Sequence, residues 1–319
     1  MAKIFTIGEM LIDFIPDIKN CALKDVKSFS KMAGGAPANV AVCAAILGAE
    51  SYFIGKFSED SFGDFLIDSL KKYNVKTDYI FKTNKANTAL AFVSLMENGE
   101  RDFSFYRNPS ADMLLEVEEV KDIRFNKGDI ISFCSVDLVD YPVRYATKKV
   151  LENAKEDGAI VVFDPNLRLN LWDNHDELYK IIGEFSKFAD IIKISEDELE
   201  FITRQKSFDD AILYLENLGI SNIVITKGAD GAFAKFNNIE IEAEGLKVNS
   251  VDATGAGDSF VGALLYKLSK LNKDLKNITK DDLDNIISFA NKVAAIVTTK
   301  YGAMDSIPTM SEINDFNTK

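Results

Sequence analysis

Short runs of consecutive apolar residues, each followed by a stretch with helical spacing, fill most of this chain. The apolar runs fall at residues 4–8, 51–55, 130–134, 159–163, 191–194 and 223–226. The amphipathic stretches lie near 38–47, 61–73, 141–156, 176–188, 196–203 and 207–218. A strand that is apolar at every position, not at alternate ones, is buried on both faces. Strands of that kind alternating with helices predict right-handed crossovers. The expected architecture is α/β, a three-layer α/β/α sandwich around a mainly parallel central sheet.

Two regions break the rhythm. Residues 87–96 and 101–107 alternate apolar and polar side chains around Glu97-Asn98-Gly99-Glu100. Asn-Gly between alternating runs signals a hairpin, because both turn residues must take positive φ. Residues 13–29 hold scattered apolar positions and strand-like stretches. Together these predict a small β-sheet off one edge of the main body, a lid formed by segments about 13–32 and 87–107. The same sheet could pair with a second copy as a homodimer, and the two uses are compatible. No repeat, low-complexity tract or flexible linker interrupts residues 1–319, which therefore read as one domain with a lid.

Charge narrows the partners. Fifty Asp and Glu against 37 Lys and Arg give a net charge of −13, which repels nucleic-acid phosphates. A nucleotide ligand is not excluded, since local donors govern it. Cys21, Cys43 and Cys134 are odd in number and far apart, and the last two lie in apolar runs. Buried thiols are the expectation, in place of a disulfide or a metal site. His175 is the single histidine, in a polar turn, so no His-based metal cluster is available. The first residues form a strand without a basic leader, and no run reaches membrane-spanning length. A cytoplasmic protein with no membrane partner is expected.

Two glycine clusters carry the candidate chemistry. In Val251-Asp252-Ala253-Thr254-Gly255-Ala256-Gly257-Asp258, three small residues precede an apolar helical run. That reads as a tight turn opening a helix, whose bare N–H groups and dipole favour an anion. Asp258 in the same first turn either complements the dipole or serves as a base beside the anion. The latter arrangement suits phosphoryl transfer to a hydroxyl. The other cluster, Gly34-Gly35-Ala36-Pro37-Ala38-Asn39, opens a second helix with proline in its first turn. Glycines there permit close approach of a ligand, and Asn39 offers both a donor and acceptors to hydroxyls.

Taken together, the two clusters resemble the paired signatures of the PfkB/ribokinase-like carbohydrate kinases, and the resemblance spans residues 4–308. It implies a ribokinase-like fold, ATP and Mg2+ as cofactors, and a small-molecule sugar substrate. Asp258 would be the base, Gly255, Ala256 and Gly257 the anion hole, and Arg168 a charge beside the phosphates. Asp13, Gly34, Gly35, Asn39 and Arg107 would bind the sugar. Asn166, like Arg168, would face the nucleotide's phosphates, and Thr254 would also bind the nucleotide. Thr226, Lys227, Gly228 and Gly231 would form a turn under ATP, its adenine lying against the helix carrying Asn291 and Ala294. Glu198, in a Ser195-Glu196-Asp197-Glu198 stretch where the family has N-x-x-E, would act on magnesium through water. Ser195 replaces the family's asparagine, so no amide role carries over. Asp252, Gly302 and Ser306 match a loop where relatives often hold K+.

The stretches Met10-Leu11-Ile12-Asp13-Phe14, Phe105-Tyr106-Arg107 and 164–172 look most like the family's fructokinases. They imply phosphorylation of D-fructose to fructose 6-phosphate. A 2-keto-3-deoxygluconate kinase, a ribokinase and a non-catalytic sugar- or nucleotide-binding pseudokinase are the alternatives. A dinucleotide oxidoreductase is disfavoured, because Gly8-Glu9-Met10-Leu11 after the first strand lacks G-x-G-x-x-G.

Overall fold

The computed structural model describes residues 1–18, 21–95, 101–271 and 273–316. Thirteen strands are seen among the described residues: β1 (Ile4–Ile7), β2 (Leu11–Pro16), β3 (Phe29–Gly34), β4 (Ser51–Ser58), β5 (Lys76–Thr83), β6 (Leu90–Leu95), β7 (Arg101–Tyr106), β8 (Ile130–Phe133), β9 (Ile160–Phe163), β10 (Ile191–Ser195), β11 (Asn222–Thr226), β12 (Gly231–Phe236) and β13 (Ile239–Glu244). Nine of them form one sheet in the order β13-β12-β11-β10-β9-β8-β1-β4-β5. Its pairs are parallel from β5 through β11, and the β11–β12 and β12–β13 pairs are antiparallel. The six continuous apolar runs are its central strands, covered by helices on both faces as their composition requires.

The periodicity did not single out β5, β12 or β13. Each lies at or next to a sheet edge. β5 and β13 alternate exposed and covered positions, so neither presents an unbroken apolar run. Among the described residues, no helix is long and apolar enough to cross a membrane. Cys43 and Cys134 are buried free thiols, as expected.

The other four strands form a separate sheet, β3-β2-β6-β7. They coincide with the segments that break the βα rhythm, whereas the 97–100 turn falls outside the described residues. One face of this sheet carries Phe14, Phe29 and Phe92, with Phe14 and Phe92 stacked at 4.8 Å and Phe62 edge-on to Phe14. That aromatic layer packs the small sheet on the Ser61–Lys72 helix. Alternation along the strands turns Asp13, Val93 and Phe105 toward the main body instead.

Two features place the site. β1 lies between β4 and β8, so the chain leaves one side of β1 early and returns on the other. Crevices form beyond the carboxyl ends of strands at such a switch point. In addition, the helices Ala36–Ile46 and Ala256–Leu271 cross closely through Gly262. A Cβ on Gly262 would lie 2.5 Å from Cys43 Cβ and 3.0 Å from the Val40 carbonyl. Bare backbone at this crossing lets the N-terminal turns of both helices meet at one point.

Candidate active site

A cavity of about 940 Å3 opens between the strand ends of the main sheet and the inner face of the small one. Asp13, Gly35 and Asn39 line it from one side. Asp252, Thr254, Gly255, Gly257, Asp258 and Gly302 line it from the opposite side, and Arg107, Asn166 and Arg168 complete the wall. Sequence positions as distant as 13 and 302 thus share one space.

Its centre is a contact between the two glycine clusters. Asn39 Nδ2 donates to Asp258 Oδ2 at 2.7 Å, across 219 residues of chain. Burial raises the Asp258 carboxyl above its usual range, while the Asn39 amide and the charges of Arg168 and Lys193 hold it down. Gly255 takes φ 75°, a left-handed conformation suited to glycine, and opens the Ala256–Leu271 helix. The Ala256 N–H donates to the Ala253 carbonyl at 3.2 Å and closes the turn. Of the three donors expected there, Gly255 and Gly257 keep N–H groups without a protein acceptor among the described residues.

Behind this turn lies a buried ion pair that the sequence motifs did not point out. Lys193 Nζ sits 3.3 and 3.2 Å from the two oxygens of Asp164, with side chains only 7% and 8% exposed. Burial lifts Asp164 to about 6 against the pull of Lys193. For Lys193 burial acts downward, but Asp164, Glu198 and Asp258 outweigh it and keep the ammonium charged. Glu198 is already engaged: one oxygen accepts from Leu167 N–H at 2.5 Å, the other from Ser195 N–H and hydroxyl at 3.0 and 2.8 Å. It therefore caps its own helix and ties that helix to the 166–168 loop. Asn166 holds a left-handed φ of 46° and leaves Nδ2 buried without a partner among the described residues.

On the small-sheet side, Gly34 has no room for a side chain. A Cβ there would fall 2.0 Å from Asp13 Oδ2, so glycine makes space for that carboxylate. Arg107 follows β7 into the body of the protein, where its Nη2 meets both Asp112 and Asp137. Its Nε has no partner among the described residues. Glu9, buried beside it, accepts from the Ala36 N–H at 3.1 Å and takes a 3.4 Å contact from Cys134 Sγ. Burial raises Glu9 to about 7 in spite of Arg107, and raises Asp137 as well, with Asp112 adding to the effect. Three buried carboxyls thus face one guanidinium, and Glu9, Asp112 and Asp137 were not apparent from the motifs.

The remaining candidates lie at the margins. Asp252 spans two loops, accepting from Thr254 N–H at 3.0 Å and from Gly302 N–H at 3.2 Å. Ser306 is fully buried and donates to the Ala303 carbonyl at 2.7 Å. Thr226 ends β11, Lys227 and Gly228 follow it, and Gly231 opens β12; none of the four is part of the cavity wall. Lys227 Nζ pairs with Glu242 at 3.0 Å. Asn291 Nδ2 donates to the Ala243 carbonyl at 3.2 Å, and a Cβ on Gly231 would fall 2.1 Å from that same oxygen. The turn and the helix carrying Asn291 and Ala294 therefore meet at β13.

Comparison with known proteins agrees with this geometry. The model of the pfkB family carbohydrate kinase matches residues 1–310. Probable fructokinase-5 of Arabidopsis thaliana is 41% identical over 310 residues, covering 97% of this chain and 95% of that protein. A double mutant of Vibrio cholerae O395 fructokinase, in fructose, ADP and potassium ion bound form, has a TM-score of 0.90 at 34% identity. It covers 99% of this chain and 98% of its own. Aminoimidazole riboside kinase from Salmonella enterica, complexed with aminoimidazole riboside and an ATP analog, has a TM-score of 0.86 at 33% identity, covering 98% of each chain. The sandwich expected from the βα alternation is thus the ribokinase-like fold, and this chain belongs to the pfkB family of carbohydrate kinases.

Proposed function

We propose that the protein transfers the γ-phosphoryl group of ATP to the 6-hydroxyl of D-fructose. The observation that carries this reading is the 2.7 Å contact of Asn39 with Asp258 beside the Gly255 and Gly257 N–H groups, which have no protein acceptor among the described residues. It sets a hydroxyl-binding amide, a carboxylate base and an anion hole within one cavity. Asp258 takes the hydroxyl proton as the new O–P bond forms, help worth about 10²–10⁴-fold in rate. Gly255 and Gly257 hold charge on the transferring group, and one such donor is worth about 3 kcal/mol in comparable sites. Arg168 adds positive charge at the cavity rim.

Asp13, Asn39 and Arg107 select the sugar by pairing its hydroxyls. Arg107 Nε and Asn39 Oδ1 are buried without a partner among the described residues, and both residues line the cavity, so each has a polar atom to offer a hydroxyl. The small sheet acts as a lid whose closure excludes water as a competing acceptor. ATP's adenine lies between the Lys227–Gly231 turn and the Asn291 helix. Bound magnesium would neutralise charge on the phosphates. With both Glu198 oxygens already accepting hydrogen bonds, that residue suits a water-mediated contact to the ion. Asp252, with Gly302 and Ser306, would hold K+ beside the anion hole. The unpaired outer strands of the small sheet, β3 and β7, are where a second copy would add.

The test is ADP release from ATP and Mg2+ with fructose, ribose, 2-keto-3-deoxygluconate, glucose, inosine and aminoimidazole riboside, in K+ and in Na+ buffer. A kcat/KM for fructose about a hundredfold above the others supports the assignment. Preference for another acceptor keeps the kinase chemistry and overturns the sugar. Equal rates in K+ and Na+ remove the potassium role, and no turnover favours a binding protein on this fold.

A further inference from the structure

Gly257 faces the cavity with nothing where a side chain would be. Outside its chain neighbours and the backbone of its own helix, a Cβ built there would have a single heavy atom of the described residues within 4 Å, Lys193 Nζ at 3.5 Å. The open space beside one anion-hole glycine is therefore bordered by an ammonium group. An oxygen anion placed in that space would meet the charge at close to hydrogen-bonding range.

Lys193 is the single charged residue of β10, buried among Ile191, Ile192 and Ile194. A buried ammonium is strongly unfavourable unless it is paired, and Asp164 supplies the pairing. The carboxylates of Glu198 and Asp258 also act on Lys193 without replacing that pair. Structural stability alone does not call for this arrangement, since buried ion pairs are often no better than apolar residues of the same volume. A cation fixed under an anion hole has a chemical use.

We propose that Lys193 is a catalytic residue of the phosphoryl transfer, its ammonium group contacting the transferred phosphoryl through the open side of Gly257, with Asp164 as the positioning residue that holds it. This rests on the kinase reading above. In the step, the sugar oxygen bonds to the γ-phosphorus, and the bond from that phosphorus to the β,γ-bridging oxygen breaks with its electron pair going to ADP. The hydroxyl proton passes to Asp258. Lys193 keeps its proton throughout and donates a hydrogen bond to a phosphoryl oxygen. A charge-assisted bond of this kind is among the stronger ones a protein makes.

The experiment compares wild type with the double variant Asp164→Asn/Lys193→Met, which removes both buried charges together and leaves neither unpaired. Calorimetry measures binding of AMP-PNP and of ADP, and steady-state assays give kcat and the fructose KM. We expect AMP-PNP affinity to fall about 10-fold or more while ADP affinity stays within about threefold. The kcat should fall about 100-fold with little change in fructose KM. Equal weakening of the two nucleotides, or a kcat within about threefold of wild type, overturns the proposal. If the double variant fails to fold, Gly257→Ala decides. Its methyl would sit in the open space at ordinary contact distance from Nζ, and unchanged AMP-PNP affinity and kcat would sink the idea. The nucleotide comparison uses no sugar. A wild type inactive on fructose would therefore count against the fructose assignment and leave the Lys193 result to stand or fall by itself.

Discussion

Glu9 offers a direct measurement of the buried charge cluster. Its residue surface is 3% exposed, and burial raises its carboxyl from an ordinary 4.5 to about 7, with Arg107 opposing. The folded protein thus binds the Glu9 proton more tightly than the unfolded chain does. The sign follows: this carboxyl has no effect on stability below about pH 4.5, where both states are protonated. Stability then falls as pH rises from 4.5 to about 7, where the unfolded chain ionises first, and levels off above that. At 1.36 kcal/mol per pH unit, the full loss is about 3 kcal/mol. Glu9→Gln keeps the size of the side chain and an acceptor for the Ala36 N–H, but cannot ionise. Urea unfolding of both proteins at pH 4.5 and pH 8 reads the loss of the Glu9 titration together with its pull on Asp137, which feels the Glu9 charge. We expect the two to differ little at pH 4.5 and the variant to gain about 3 kcal/mol on wild type by pH 8. A difference that stays constant within about 0.5 kcal/mol across that range refutes the reasoning, and would mean that water or Arg107 keeps Glu9 ionised in the native state.

The remaining predictions concern the site. Asp258→Asn should lower kcat by about 10²–10⁴-fold with ATP KM almost unchanged, and a loss below about tenfold would remove it as the base. Asn39→Ala should raise the fructose KM far more than the ATP KM. Because the Asn39 amide holds the Asp258 carboxyl down, the acid limb of the kcat profile should also move to higher pH. Equal effects on both substrates would mean the 34–40 segment is only structural. Gly34→Ala places a methyl against the Asp13 carboxylate, 2.0 Å from Oδ2 before any adjustment, and should raise the fructose KM by about tenfold. An unchanged KM would show that Asp13 does not set the sugar's position.

The parts legible from sequence share one physical property: their signal is local. Strands β1, β8, β9, β10 and β11 announce themselves because burial on both faces demands apolar residues at every position. Edge strands such as β13, half in water, give only a short alternation that many loops also show. The anion hole was readable because glycine, glycine and aspartate stand within four positions of each other, so backbone and charge requirements appear side by side. The pairing of Asn39 with Asp258 spans 219 residues and could be guessed only through family likeness. Pairings such as Arg107 with Asp112 and Asp137 were not read, since loop geometry decides which carboxylates a guanidinium finds. Lys193 is the instructive case, because a faint signal existed. A single lysine inside Ile191-Ile192-Lys193-Ile194 cannot stay buried without a carboxylate, so the strand itself demands an acidic neighbour. The parallel register aligns Ile191 with Val162 and Ile192 with Phe163. One step further along both strands stand Lys193 and Asp164. Polar residues at the carboxyl end of one parallel strand are therefore best read against the same level of its neighbour. Ligand sites form at that end of the sheet, and a charge buried there without an evident structural need is a candidate for the chemistry.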